Sequence, residues 1–195
     1  MLIYINKDIF EAFDRGEINI LCHQVNCEGL SYFAGIAKII HRKYPELTKK
    51  HIDFCNQSYM KDVFGQILVH RISTNKSIVN LYAQIMRGKP KKFPLVAKLE
   101  KNPNYNGNLT DKYFIEKFYE DSLSHRMKAL ENCLKQIHSK YVDEDVVIGM
   151  PLIASGLASD KNLKGDMTDL KYFKEYVAPI VEKELKDLKV LVFYL

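Results

Sequence analysis

Residues 22–46 read "CHQVNCEGLSYFAGIAKIIHRKYPE", and this stretch decides how the chain folds. An apolar strand runs into a turn of small and amide-bearing residues, and the turn opens a helix. Alternation along the strand puts Ile18, Ile20 and Cys22 on one face and Leu21, His23 and Val25 on the other. Gly29, Ala34 and Gly35 fall just before the helix, so backbone N–H groups and the positive helix end point into the corner. Such a corner can hold a phosphate with no particular side chain, although the same residues also serve as ordinary turn chemistry. The spacing is neither G-x-G-x-x-G nor a Walker A loop, which would end in Gly-Lys-Ser/Thr.

Outward from this corner, the runs "LIYI", "INILCHQV", "GQILVHRI", "SIVNLYAQ", "DVVIGMPLI" and "KVLVFYL" are rich in Ile, Val, Leu and Tyr and predict buried strands. Helical spacing predicts helices over 34–44, ending before Pro45, and over 46–59, 121–141 and 168–187. Strands alternating with helices predict an α/β fold, a three-layer α/β/α sandwich around a mixed, mostly parallel sheet. In such sheets ligands collect at the carboxyl ends of the strands. Three of those ends are unusual: the corner after "INILCHQVN", Gln84 after "NLYAQ", and "LIASGLASDKNLKGD" after "DVVIGMP".

The 195 residues suit one domain covering 1–195, and 47% hydrophobic content is enough for a proper core. Residues 86–120 are Lys-rich and carry Pro90, Pro94, Pro103 and Gly107, which marks an insertion that is either a lid or a solvated excursion. The net charge of +5 suits an anionic ligand without marking a dedicated nucleic-acid protein. Cys22, Cys27, Cys55 and Cys133 form no C-x-x-C pair and have no His at metal spacing, so neither a metal site nor a disulfide framework is expected. Reduced thiols, an N-terminus without a signal-like pattern and no membrane-length apolar run lead to the expectation of a cytoplasmic protein with no membrane partner. The oligomeric state is not legible.

His23 reads either as a satisfied core residue or as a catalytic group. Asn26 can donate to and accept from a ribose hydroxyl, or simply form the turn. Asp8 follows the first strand, where it caps the next helix or accepts from an exocyclic amine. The segment "IASGLAS", residues 153–159, supplies a second amide-rich loop, and two such loops fit a diphosphate better than one.

In this order, the pieces resemble the macrodomain family of ADP-ribose binders. "INKDIFEAF" is similar to the family's first strand and "GDIF" turn, "VNCEGLSYFAGIA" to its "VNC-x-G-x-x-G-x-GIA" loop, and "MPLIASGLAS" to its second phosphate loop. Within the family, His23, "VNC", "AGIA", "KYP" and "MPLIASG" resemble the branch of ADP-ribose-1″-phosphate phosphatases. The resemblance implies that Asp8 pairs with the adenine amino group and that Ile9 offers its backbone N–H to the ring. It implies that Asn26 holds the distal ribose and that Phe33, Ala34, Gly35 and Ile36 line the diphosphate, with Ser155, Gly156 and Leu157 closing the other side. His23 becomes the catalytic candidate with Asn26, and Asp160 is a candidate for orienting a water, although Asp160 also reads as a solvated loop residue.

Two departures shape the expectation. Phe33 stands where the family has glycine, and the loop is one residue longer. Gln84 and Ala158 stand where the ester-hydrolysing members have Lys and Asp, so a Lys-dependent covalent route is not implied. The expected function is hydrolysis of a distal-ribose substituent of ADP-ribose, foremost the 1″-phosphate, with no cofactor and no metal. The alternative is a reader that binds ADP-ribose or an ADP-ribosylated protein without turnover. His23 would act there as general acid or nucleophile, with loop amides stabilising the charge.

Overall fold

The structure, a computed structural model, describes residues 2–29, 35–57, 60–85, 88, 121–155 and 164–194. Six strands form one sheet: β1 (Leu2–Asn6), β2 (Ile20–Asn26), β3 (Ile67–Ser73), β4 (Lys76–Gln84), β5 (Val147–Pro151) and β6 (Lys189–Tyr194). Their order is β1-β6-β5-β2-β4-β3. Every neighbouring pair is parallel except β3 with β4, which is antiparallel at the edge. The carboxyl ends of the five parallel strands therefore share one rim.

Helices cover both faces. On one side lie α1 (Ile9–Asp14), α2 (Gly35–Lys43) and α3 (Pro45–Gln57), followed by the short α4 (Met60–Val63). On the other lie α5 (Leu123–Tyr141) and a C-terminal helical run made of α6 (Asp169–Tyr172), a π-helical turn (Phe173–Val177) and α7 (Ala178–Glu184). The starts have local causes. The Asp8 carboxylate accepts from the N–H groups of Phe10 and Glu11, Ser122 accepts from His125, and Thr168 accepts from Lys171. Pro45 opens α3 rather than merely ending α2, since its missing N–H costs nothing at a first helical position.

The face under α5 is a large, mainly apolar core. Ile20, Cys22, Val79, Leu81, Ile148, Met150, Val190 and Val192 of the sheet meet Leu130, Cys133, Leu134 and Ile137 of α5 and Phe173 and Val181 behind them. The opposite core joins Leu21 and Ile78 to Phe10, Phe13, Ile40 and Leu47. The alternation expected for β2 is present, with one correction: Ile18 packs with Leu21 rather than with Ile20 and Cys22, because it precedes the strand. A Cβ at Gly149 of β5 would come within 2.2 Å of the Ile18 side chain, so only glycine leaves room for it there.

Candidate functional site

The rim gathers several of the expected residues. Asn26 ends β2 and is the register partner of Gln84, which ends β4. Between them the loop start is firmly held: the Cys27 N–H is shared between the carbonyls of Gln84 and Ile85, both at 3.1 Å. The Gln24 amide donates to Gln84 Oε1 at 3.1 Å. Asn26 Oδ1 accepts from the Glu28 N–H at 3.0 Å, so the side chain shapes its own turn. Three amide side chains thus stand side by side at the ends of β2 and β4, of which Gln24 had no signal in the sequence.

Gly29, with φ +63°, continues this loop packed against α3; a Cβ there would lie 2.9 Å from Cys55 Cβ. Gly35 opens α2 with φ +55° and is exposed, while Ile36 is half-buried and packs toward the core on the α1 side. Phe33 and Ala34 lie outside the described residues.

The loop leaving β5 is the second element. Ser155 is fully buried, its hydroxyl donates to the Leu152 carbonyl, and its own carbonyl accepts from Lys164 Nζ at 3.2 Å. Lys164 also pairs with Asp169 at the start of α6, which ties the loop to the C-terminal helical run. Ala154 is the one non-glycine residue with positive φ (59°) among the described residues, and it sits in this loop. A side chain held in the left-handed region costs about 1–2 kcal/mol and persists where the surroundings over-determine it. Gly156, Leu157 and Asp160 lie outside the described residues.

Asp8 is exposed at the end of β1 and caps α1, with both contacts on Oδ1, to Phe10 N at 2.7 Å and Glu11 N at 3.1 Å. Ile9 is buried. β6, β5 and β2 follow β1 in the sheet, so three spacings of about 4.8 Å put the ends of β1 and β2 about 14 Å apart.

His23 is not at the rim. It lies inside the sheet on the face under α3 with no exposed surface, and its Nε2 meets Asn80 Oδ1 of β4 at 2.7 Å. Burial pushes its pKa down from 6.5 to about 4, against the opposing pull of the Asn80 bond, with nearby His51 lowering it further. A neutral imidazole donating to Asn80 follows. Of the two readings open in the sequence, full burial beside Asn80 favours the core histidine.

The insertion at 86–120 lies, apart from Gly88, outside the described residues, but its two ends are held. Arg126 and Asp121 form a buried bidentate pair, with Nε to Oδ1 at 2.7 Å; Arg126 Nη1 donates to the Gly88 carbonyl at 2.6 Å. Asp121 Oδ1 also accepts from the Ile85 N–H at 3.2 Å. The insertion therefore leaves and rejoins the fold at the end of β4. Among the described residues there is no group of His, Cys, Asp and Glu that could hold a metal ion, and no helix is long and apolar enough to cross a membrane.

At the opposite, amino end of the strands lies a separate cleft of about 530 Å³ whose lining includes Asn19, Arg71, Ser77, Lys140 and Tyr141. None of the expected residues belongs to it.

No protein-family model matches the chain. Over 58 residues it is 38% identical to an ADP-ribose 1″-phosphate phosphatase of Debaryomyces hansenii, a match covering 29% of this chain and about a third, 32%, of that relative. The fold is similar to the macrodomain of Thermus aquaticus DarG, with TM-score 0.59, 16% identity, and coverage of 100% of this chain and 99% of that one. It is also similar to Thermosipho africanus DarTG, solved in complex with ADP-ribose, with TM-score 0.61, 15% identity, and coverage of 98% of this chain and 41% of that one. The chain thus has a macrodomain fold.

Proposed function

We propose that this chain uses its macrodomain fold to bind ADP-ribose, or a derivative carrying a substituent on the distal ribose, along the carboxyl rim of the sheet. The observation that carries this reading is the span of the rim. The ends of β1 and β2, beside which Asp8 and Asn26 stand, are separated by three strand spacings, about 14 Å, with the loop leaving β5 between them, which calls for an elongated ligand with different chemistry at its two ends. Asp8 uses Oδ1 for capping, so Oδ2 can accept from the adenine amino group while Ile9 N–H meets the ring. Asn26 Nδ2 donates to the distal ribose while Oδ1 holds the turn. Gly35, Ile36 and the Ser155 loop supply N–H groups to the diphosphate, as do Ala34, Gly156 and Leu157, with Phe33 on the distal side.

Calorimetric titration with ADP-ribose tests this. The expected result is saturable heat that falls at least tenfold in affinity in Asn26→Ala; no heat and no thermal shift at millimolar ligand would overturn it.

The second reading is turnover of ADP-ribose-1″-phosphate, favoured by the stretch shared with the phosphatase relative. His23, buried and neutral, serves it poorly as a direct acid, and Asp160 remains its candidate for orienting water. Phosphate release that vanishes in Asp160→Asn supports this enzyme, and tight binding without release supports the reader.

A further inference from the structure

The cleft at the amino end of the strands takes no part in the proposed function. It opens where β2, β4 and β5 begin, with Ile20, Val69 and Val146 as its apolar lining. The fold fixes its walls: Asn19 donates its N–H to the Val147 carbonyl at 2.8 Å and accepts from the Ser77 N–H at 2.9 Å, while its Oδ1 accepts from the Val147 N–H at 2.8 Å. Four exposed charged residues surround the space: Arg71 of β3, Lys140 in the last turn of α5, and Glu144 and Asp145 in the turn that follows. Among the described residues none of the four enters an ion pair.

Tyr141 completes the lining. The residue is only 4% exposed, and its hydroxyl is buried with no hydrogen bond beyond a loose approach to the buried Ser77. A buried hydroxyl left unmatched lowers stability, so its retention asks for a reason. Burial pushes the phenol up to about 12, with Cys22 and Glu144 acting in the same direction and Ser77 and Arg71 against it. The hydroxyl therefore stands among the charges of the cleft and is a proton donor at neutral pH. Lys140 Nζ lies 5.7 Å over its ring.

We propose that this cleft is a second binding site, for a small zwitterion: a molecule with a carboxylate and an ammonium group on a short carbon frame, as a free amino acid has. The planar fork of Arg71 suits a carboxylate, the Tyr141 hydroxyl supplies a further donor, and Lys140 adds positive charge. Glu144 and Asp145 accept from the ammonium group. A lining with two charges of each sign favours such a ligand over a polyanion, whose second and third charges would meet the two carboxylates. A cleft of about 530 Å³ with walls held by the sheet has the size of a small-molecule site. The proposal is independent of the ADP-ribose reading, which concerns the other end of the strands.

The test is an amide chemical-shift titration of the full chain with the free proteinogenic amino acids in turn, at millimolar concentration. At least one is expected to give saturable shifts at Arg71, Ser77, Tyr141 and Glu144, with Ile9 and Asn26 silent. The N-acetyl form of that amino acid, which lacks the ammonium charge, and its methyl ester, which lacks the carboxylate, should each bind at least tenfold more weakly. Tyr141→Phe keeps the ring and loses the donor: affinity is expected to fall at least threefold while the unfolding midpoint without ligand does not fall. Glu144→Gln should weaken the parent amino acid and leave the N-acetyl form within twofold. No saturable shift with any amino acid would overturn the proposal. So would an N-acetyl form or inorganic phosphate that binds as well as the parent, which marks a plain anion site, or a Tyr141→Phe variant that is less stable but binds unchanged, which marks a structural hydroxyl.

Discussion

The two faces of the sheet are built differently. Under α5 the sheet residues in the core are apolar except Ser77 at the start of β4, and the helix answers with Leu130, Cys133, Leu134 and Ile137. Under α3 the helix buries only Leu47, Thr48 and His51. There, the sheet presents His23 and Asn80, and His70 of β3 lies buried within 3.6 Å of the exposed Glu46. Apolar packing is strong but carries little directional information, whereas hydrogen bonds fix distances at the cost of desolvation. The α5 face supplies stability, and the α3 face aligns the loop that the ligand is proposed to meet.

The largest effect belongs to the apolar face. Leu134→Ala removes a fully buried side chain and is expected to cost about 2–5 kcal/mol of unfolding free energy in urea, with ligand affinity of the folded fraction unchanged. A matching loss of affinity would break the division between the faces.

Acid comes next and strikes the polar face. The unfolded His23 binds a proton near pH 6.5 and the folded one only near pH 4, so stability is full above about 6.5 and falls as the pH drops toward 4. Over that window the loss amounts to about 3–4 kcal/mol, at roughly 1.4 kcal/mol per pH unit. His23→Gln is expected to flatten this part of the curve, and equal slopes for mutant and wild type would contradict it.

Asn80→Ala leaves the buried His23 Nε2 without its 2.7 Å partner, and the expected cost is about 1–3 kcal/mol by chemical denaturation. The smallest effect lies where the rim begins. Asp8→Ala removes the cap of α1 for about 1 kcal/mol, whereas Asp8→Ser keeps the cap; thermal unfolding separates them. On the proposed function both variants weaken adenine recognition alike.

Much of this was legible in the sequence. The six strands follow from short β-branched runs, the corner after β2 from its glycines and amides, and the Asp8 cap from its place before "IFEAF". The polar face was not, because its partners meet only through register and helix docking: Asn80 lies 57 residues from His23, and Tyr82 lies 31 from His51. That distance is why the sequence left His23 open between core and catalysis. The same holds for the clamp at the insertion, where Arg126 reaches back 38 residues to Gly88, and for Lys164 reaching Ser155. The positive φ of Ala154 has no sequence signal, since the left-handed region leaves no mark on residue type when the residue is not glycine.

The central claim is that the ligand lies along the rim, from β1 to β2. An amide chemical-shift titration with ADP-ribose tests it most directly. Shifts are predicted at Ile9, Asn26, Gly29, Gly35, Ile36 and Ser155, with α5 silent. Shifts confined to the cleft about Arg71 and Lys140 at the other end of the strands, or none at all, would contradict it.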